Sequence, residues 1–365
     1  SLDNATTVAT SSAQIRRYTD TRYLDLIRNF RRNYWLLIYL FGAAPCVDAS
    51  FLEGRQHSLE KTGERDFGLP YATSLRMGDL GYQSVVQKSL FVCYNDLNNY
   101  IATLQGAIKT PHPDYEKIGT LVNGEYRQLS TGMLQIENEF YSAVRPKRVT
   151  QAGEKPLHAL RDRGIQYIEV RCMDIDPFAS LGISEETIRF LDTFLMYCLA
   201  YPSTQCDEQE FRRIAENQAR VVKCGRDPDL ELDQNGEPVR LRQLSIDLLD
   251  DMQAVAETMD RANANDNTSD GYANALAAQR EKVEDQRKTP AAILARELEE
   301  KSAGFLEFTA AKSESFMQRH RAHNIPEQRR KALLEEIETS RQRQQQLEQA
   351  DQQSFDEYLK QYYSR

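Results

Sequence analysis

The chain has 365 residues, of which 40% are hydrophobic, enough to bury a sizeable core in one large domain or two smaller ones. A net charge of −9 argues against nucleic acid as the main partner. Six cysteines without a CxxC pair and five scattered histidines fit a reduced, cytoplasmic protein that lacks a disulfide framework or a zinc site.

The opening, "SLDNATTVATSS", is polar and starts with Ser1; an excerpt or a processed product is expected. Tyr23, Leu24, Ile27 and Phe30 recur at helical spacing, which predicts a helix over 14–41, stopped by "GAAP". Its apolar run "YWLLIYLF" is eight residues long, well short of the roughly 18 of a membrane span. No secretory signal pattern is visible, so neither membrane insertion nor secretion is expected. Residues 53–70 read as a polar loop. "NDLNNYIATLQGAIK" (95–109) predicts a second helix, and Asn-Gly within "LVNGEY" (121–126) predicts a hairpin. "QLSTGMLQIENEFY" (128–141) reads as strand, the basic tetrad "RPKR" (145–148) follows, and "IQYIEVRCM" (165–173) is a further strand. Ser184 caps an apolar helix, with Glu185 and Glu186 in its first turn. Further helices are expected at about 207–224 and 241–262. "NANDNTSDG" (263–271) reads as a flexible connector, and beyond it Thr289-Pro290 marks a helix start. The last forty residues read as a solvated charged helix; a partner-binding coiled coil would need sustained heptads, which are absent.

Three stretches carry candidate chemistry. On the 165–173 strand, alternation sets Ile165, Tyr167, Glu169 and Arg171 on one face and Gln166, Ile168, Val170 and Cys172 on the other. Glu169 and Arg171 then stand about 7 Å apart. A carboxylate beside a guanidinium suits a metal–phosphate site; the alternative is an ion pair on a wet face. "LPYATSLRMGDLGY" (69–82) joins Arg76, Asp79 and Tyr82 to glycines that let a backbone approach a ligand, or is an ordinary charged loop. "LQIENEFYSAVRPKR" (134–148) offers Glu137, Glu139 and Tyr141, then Arg145, Lys147 and Arg148, which suit polyphosphate or form a solvated charge run.

"YLFGAAP", "LPYATSLRMGDLGY", "AIKTP", "LQIENEFY", "RPKR", "GIQYIEVRCMDIDPF" and "RFLDTFLMYC" occur in this order. Together they resemble glutamate–cysteine ligase of the proteobacterial type. The likeness is dense over about 33–200, thins over 207–262, is faint over 263–330, and returns in "RQRQQQLEQADQQSFDEYLKQ" at the tail. The resemblance implies an α+β fold, with an antiparallel sheet like that of glutamine synthetase and many packed helices. Residues 1–262 would be the catalytic portion and 263–365 a helical C-terminal region with a charged tail. It implies transfer of the γ-phosphoryl of ATP to the side-chain carboxylate of glutamate, followed by attack of the cysteine amine. The implied cofactor is Mg²⁺, with Mn²⁺ as a substitute. By the same resemblance Glu169 is a metal ligand and Arg171 stabilises the transferring phosphoryl group. Arg76 contacts the amino-acid substrate, while Tyr82 and Tyr141 line the cysteine pocket. Arg145, Lys147 and Arg148 are phosphate candidates from their charge alone. Asp174 and Asp176 match the motif and are expected only to shape the strand exit. The family's N-terminal segment, with acidic metal ligands and a histidine, has no counterpart here. The isolated chain is therefore expected to have exposed sheet edges, to fold poorly on its own and to show no ligation. Two other readings stay open: a related ligase with another acceptor amine, and a non-catalytic helical interaction module.

Overall fold

The structure, a computed structural model, describes residues 11–81, 86–151, 153–263 and 271–364. Ser11 opens α1 (Ser12–Asn33) with a reciprocal cap, in which its hydroxyl accepts from Gln14 N and the Gln14 side chain accepts from Ser11 N. A break at Tyr34 precedes α2 (Trp35–Phe41), so the single helix expected over 14–41 is two. All of α2 is buried, as a helix apolar on every side must be. It ends at Gly42, where a Cβ would stand 2.5 Å from Ile38 O and 2.9 Å from the Thr73 backbone. Only glycine permits that approach.

Residues 53–70 are not simply a loop. β1 (Cys46–Asp48) leads through α3 (Ala49–Leu52) to β2 (Glu60–Lys61) and β3 (Asp66–Gly68), which form an antiparallel sheet of order β1-β3-β2. Strands of two or three residues are too short to display alternation. Next come α4 (Leu97–Lys109) and α5 (Pro113–Ile118). The hairpin of β4 (Leu121–Val122) and β5 (Glu125–Tyr126) turns on Asn123 and Gly124, with φ of 54° and 81°. The strand expected over 128–141 does not form. Gln135 Oε1 accepts from Leu129 N at 2.6 Å, and Glu139 Oε2 accepts from Gln135 N at 2.5 Å. Side chains thus satisfy backbone groups that a ladder would have used, and a 3-10 turn (Glu137–Glu139) results.

β6 (Val144–Lys147) and β7 (Tyr167–Val170) form a two-stranded antiparallel ribbon, with α6 (Pro156–Arg163) between them in sequence. α7 (Glu185–Ala200), capped by Ser184, and α8 (Glu208–Cys224) follow. β8 (Glu231–Gln234) and β9 (Glu237–Arg240) form a hairpin that the sequence reading missed, although Asn235-Gly236 carries the usual signal. α9 (Leu241–Ala262) precedes α10 (Gly271–Glu284), α11 (Pro290–Lys301), α12 (Phe305–Ala322), α13 (Glu327–Ala350) and α14 (Phe355–Ser364). Of the expected connector, 264–270 lie outside the described residues.

Composition shifts at that connector, but the core continues across it. Leu276 and Val283 of α10 share one buried cluster with Ile27, Phe30 and Phe194. The Asp260 carboxylate caps α10 through Tyr272 N (2.8 Å) and Ala273 N (2.9 Å). The core of the first portion therefore extends past 262 into α10. α13 is the solvated stretch, with no buried residue, whereas α14 docks back on the body. The fold is α+β: helices packed around α2, with the described strands in four small antiparallel sheets and no single extended one. No helix among the described residues is long and apolar enough to cross a membrane.

Candidate functional site

The basic tetrad and the acid–base strand belong to one structure. Residues 145–147 lie in β6, whose register sets Arg145 opposite Glu169 and Lys147 opposite Tyr167. Ile168, Val170 and Cys172 pack with Val144 on the core side. Burial pushes the Cys172 thiol up to about 12, so it is no nucleophile at neutral pH. Tyr167, Glu169 and Arg171 take the other face. The expected alternation fails at Ile165 and Gln166, which precede the strand and are buried and exposed respectively.

Glu169 sits among three cations. Its Oε1 accepts from Arg171 Nη2 at 2.8 Å. Its Oε2 lies 3.2 Å from Arg145 Nη2 and 3.4 Å from Lys147 Nζ. Burial raises the Glu169 carboxyl, but the Arg171 hydrogen bond and the charges of Lys147, Arg145 and Arg171 outweigh it and hold the carboxyl below its ordinary value. Lys147 is lowered, chiefly by burial and then by the charge of Arg145. The face is net positive and attracts anions.

The three basic side chains of the tetrad differ in their burial. Arg145 is 3% exposed, and its Nη1 donates to Asn138 O (3.1 Å) and Phe140 O (3.0 Å). Its Nε and Nη2, like Glu169 Oε2, are buried without a hydrogen-bond partner, so only ion pairing satisfies Nη2 and Oε2. The solvated charge run is thus corrected: Arg145 anchors the turn that carries Glu137 and Asn138. Lys147, Arg148 and the deeply buried Arg145 all line a cavity of about 340 Å³, bounded by the ribbon, α4, α6 and the 3-10 turn. Leu104, Leu157 and Leu160 form its apolar wall, and Glu137 and Tyr167 complete its edge.

Arg76 is held at the exit of β7. Its Nε donates to Asp174 Oδ1 (2.7 Å) and its Nη2 to Met173 O (2.7 Å) and Arg171 O (3.4 Å). Asp174 Oδ2 accepts from Ala43 N at 2.8 Å, so this carboxylate ties the end of α2 to the strand that carries Arg171. Gly81 permits a close backbone approach to the Arg76 carbonyl, 2.0 Å from where its Cβ would be. Tyr141 is 44% exposed, and its N–H donates to Gln87 Oε1 at 2.8 Å. Tyr82 lies outside the described residues. The structure therefore brings together Arg76, Arg145, Lys147, Glu169 and Arg171. Glu137 and Asn138, which the sequence singles out without a role, line the cavity too, as does Tyr100 of α4, which it does not single out. The clue to Glu137 was its low exposure, which no local pattern displays. A larger cavity of about 1020 Å³ lies between β1–β3 and α11–α12 and holds none of the candidates; its Asp48 is paired with Arg65.

A helical body bearing a short antiparallel ribbon with a cationic face defines an α+β protein with an anion-attracting site. The chain belongs to the glutamate–cysteine ligase family, whose family model matches residues 2–221. It is 45% identical to the glutamate–cysteine ligase of Pseudomonas putida (strain W619), over 94% of this chain and 65% of that protein. It is 44% identical to that of Alcanivorax borkumensis, over 96% of this chain and 67% of that protein. The chain thus spans about two thirds of the length of these relatives. Among solved structures, glutamate–cysteine ligase from Francisella tularensis, in complex with AMP, matches with a TM-score of 0.87 and 32% identity, covering 94% of this chain and 67% of that one. A bifunctional glutathione synthetase from Pasteurella multocida shares the fold, with a TM-score of 0.59 and 20% identity over 87% of this chain and 34% of that one.

Proposed function

We propose that this chain carries the phosphoryl-transfer face of an ATP-dependent glutamate–cysteine ligase, the first step of glutathione biosynthesis. A γ-carboxylate oxygen of glutamate attacks the γ-phosphorus of ATP and ADP leaves. The cysteine amine then attacks the acyl phosphate, phosphate leaves, and the nitrogen gives up a proton as the amide forms. The observation that carries the reading is the cationic face around Glu169, where Arg171, Lys147 and Arg145 converge. Family membership supports it, as does the AMP bound by the Francisella protein.

In this reading Arg171 stabilises charge on the transferring phosphoryl group, which suits a reaction dominated by positioning and electrostatics. Lys147 and Arg148 meet the polyphosphate at the cavity. Arg145 lines the same cavity, but it is 3% exposed and its Nη1 is bonded to Asn138 O and Phe140 O, so it acts mainly by fixing the turn at 138–140. Arg76 meets the amino-acid substrate beside the strand exit, and Tyr82 with Tyr141 bounds the cysteine pocket. The ribbon would belong to a sheet like that of glutamine synthetase. Mg²⁺, or Mn²⁺, would offset the charge of the triphosphate. The described residues do not fit such a site, because they hold no group of three His, Cys, Asp or Glu side chains able to bind a metal. Glu169 alone, already paired with cations, falls short of the roughly six oxygens that Mg²⁺ takes. The roles above are accordingly those of the chain's own cations.

The test is a graft. Residues 11–364 replace the matching stretch of the Pseudomonas putida relative, and phosphate release is followed with ATP, glutamate and cysteine. The graft should turn over only with both amino acids, and Arg171→Ala should lower its rate by about 10²–10³-fold. A folded graft without turnover, or one indifferent to Arg171→Ala, would overturn the assignment.

A further inference from the structure

The last helix of the chain reaches the cavity wall. Tyr362 donates its hydroxyl to Glu137 Oε2 at 2.5 Å, and Lys155 Nζ lies 4.3 Å from the centre of the same ring. Burial first, and the Glu137 hydrogen bond second, push the Tyr362 phenol up, so it stays protonated and is the donor. Glu137 lines the cavity on one side, and Pro156, next to Lys155, lines it on another. One side chain thus holds two walls. Tyr363 adds a hydrogen bond to Gln135 O at 2.9 Å, and Tyr126 donates to Asp356 while its ring meets Phe355 edge-on. The preceding α13 buries nothing, so α14 is held by what it docks on and not by the helix that leads to it.

Glu137 is an anion on the edge of a cationic cavity. It adjoins Asn138, whose carbonyl anchors Arg145, and Lys147 and Arg148 line the same space. Left without its donor, the carboxylate would turn to these cations and compete with any phosphate there. We propose that Tyr362 is a positioning residue, holding Glu137 away from the cations and thereby coupling the seating of α14 to occupancy of the cavity by a phosphate-bearing nucleotide. The ligand part of this rests on the nucleotide reading above.

The probe is ADP, titrated calorimetrically into the full chain, with amide hydrogen exchange followed in parallel. Tyr362→Phe should weaken ADP about tenfold, and adding Glu137→Gln should restore most of that loss, since a neutral side chain no longer competes. ADP should also slow exchange over 355–364 in the unmutated chain. Without ligand, Tyr362→Phe should speed exchange over 135–148 and leave α7 unchanged. Unaltered ADP affinity in Tyr362→Phe, or a loss that Glu137→Gln does not repair, overturns the coupling. If ADP fails to bind the unmutated chain, the nucleotide reading falls instead. The ligand-free exchange then still decides the positioning role, which unchanged exchange over 135–148 would reject.

Discussion

Glu169 shows how one side chain can be placed correctly by sequence and still be misjudged in its surroundings. Its partnership with Arg171 follows from a spacing of two in a strand, and the structure gives it the 2.8 Å hydrogen bond. Arg145 and Lys147 arrive from another strand, and nothing local announces them. Together they pair Glu169 with three cations, so its loss should be costly. Glu169→Gln leaves Arg145 buried among like charges and should lower stability at pH 7 by about 3 kcal/mol, the low end for a broken buried pair because Glu169 is partly exposed. The pH dependence has a definite sign. The folded carboxyl titrates below the ordinary value of 4.5, so the unfolded chain binds more protons in that range. Stability from this group is fully present above about 4.5 and disappears as pH falls through the lower, folded value. Denaturant titrations of the two proteins should therefore differ at neutral pH and converge in acid. A gap that does not change with pH would mean that the carboxylate charge is not what stabilises the site.

At the scale of elements, long periodic segments were legible and short ones were not. α4, α7, α8 and α9 match their expected ranges because an apolar stripe over thirteen or more residues is hard to mistake. β1, β2 and β3 are too short to carry a period. The segment 128–141 alternates like a strand yet folds into a turn, since Gln135 and Glu139 supply the hydrogen bonds locally. The boundary at 262–263 rested on composition, and the buried cluster runs past it into α10. Leu276 and Val283 are 1% and 2% exposed on a helix packed against α9, α7 and α2, all before residue 263. Each such side chain contributes about 1.5–3 kcal/mol when buried, a large share of a typical net stability of about 5–15 kcal/mol. A chain ended after Asn263 should lose cooperative thermal unfolding and bind a hydrophobic dye. A sharp unfolding transition in that fragment would restore the two-part division.

For the whole molecule, the governing balance is one of charge. The chain is acidic overall, yet it gathers cations on one face of one ribbon, around Glu169. A triphosphate and a glutamate carboxylate repel each other, and fixed cations offset part of that; the rest needs divalent ions that the described donor set does not hold. The isolated chain is therefore expected to show no formation of the amide product from ATP, Mg²⁺, glutamate and cysteine, measured by mass spectrometry. Product formed at a rate that scales with the concentration of this chain would overturn that expectation.

The sequence by itself determined the long helices α4, α7, α8 and α9, the Ser184 cap, the Asn-Gly turn at 123–124 and the pairing of Glu169 with Arg171, because each depends on neighbours within a few residues. It also carried the family likeness, which is an ordered set of such local patterns. Tertiary structure alone decided that "RPKR" lies beside "YIEV", that Arg145 is buried where Lys147 and Arg148 line the same cavity with it, and that Tyr362 bonds Glu137 from 225 residues away. Those contacts join segments with no shared local period. They are fixed only when the common core around α2 sets where each segment runs.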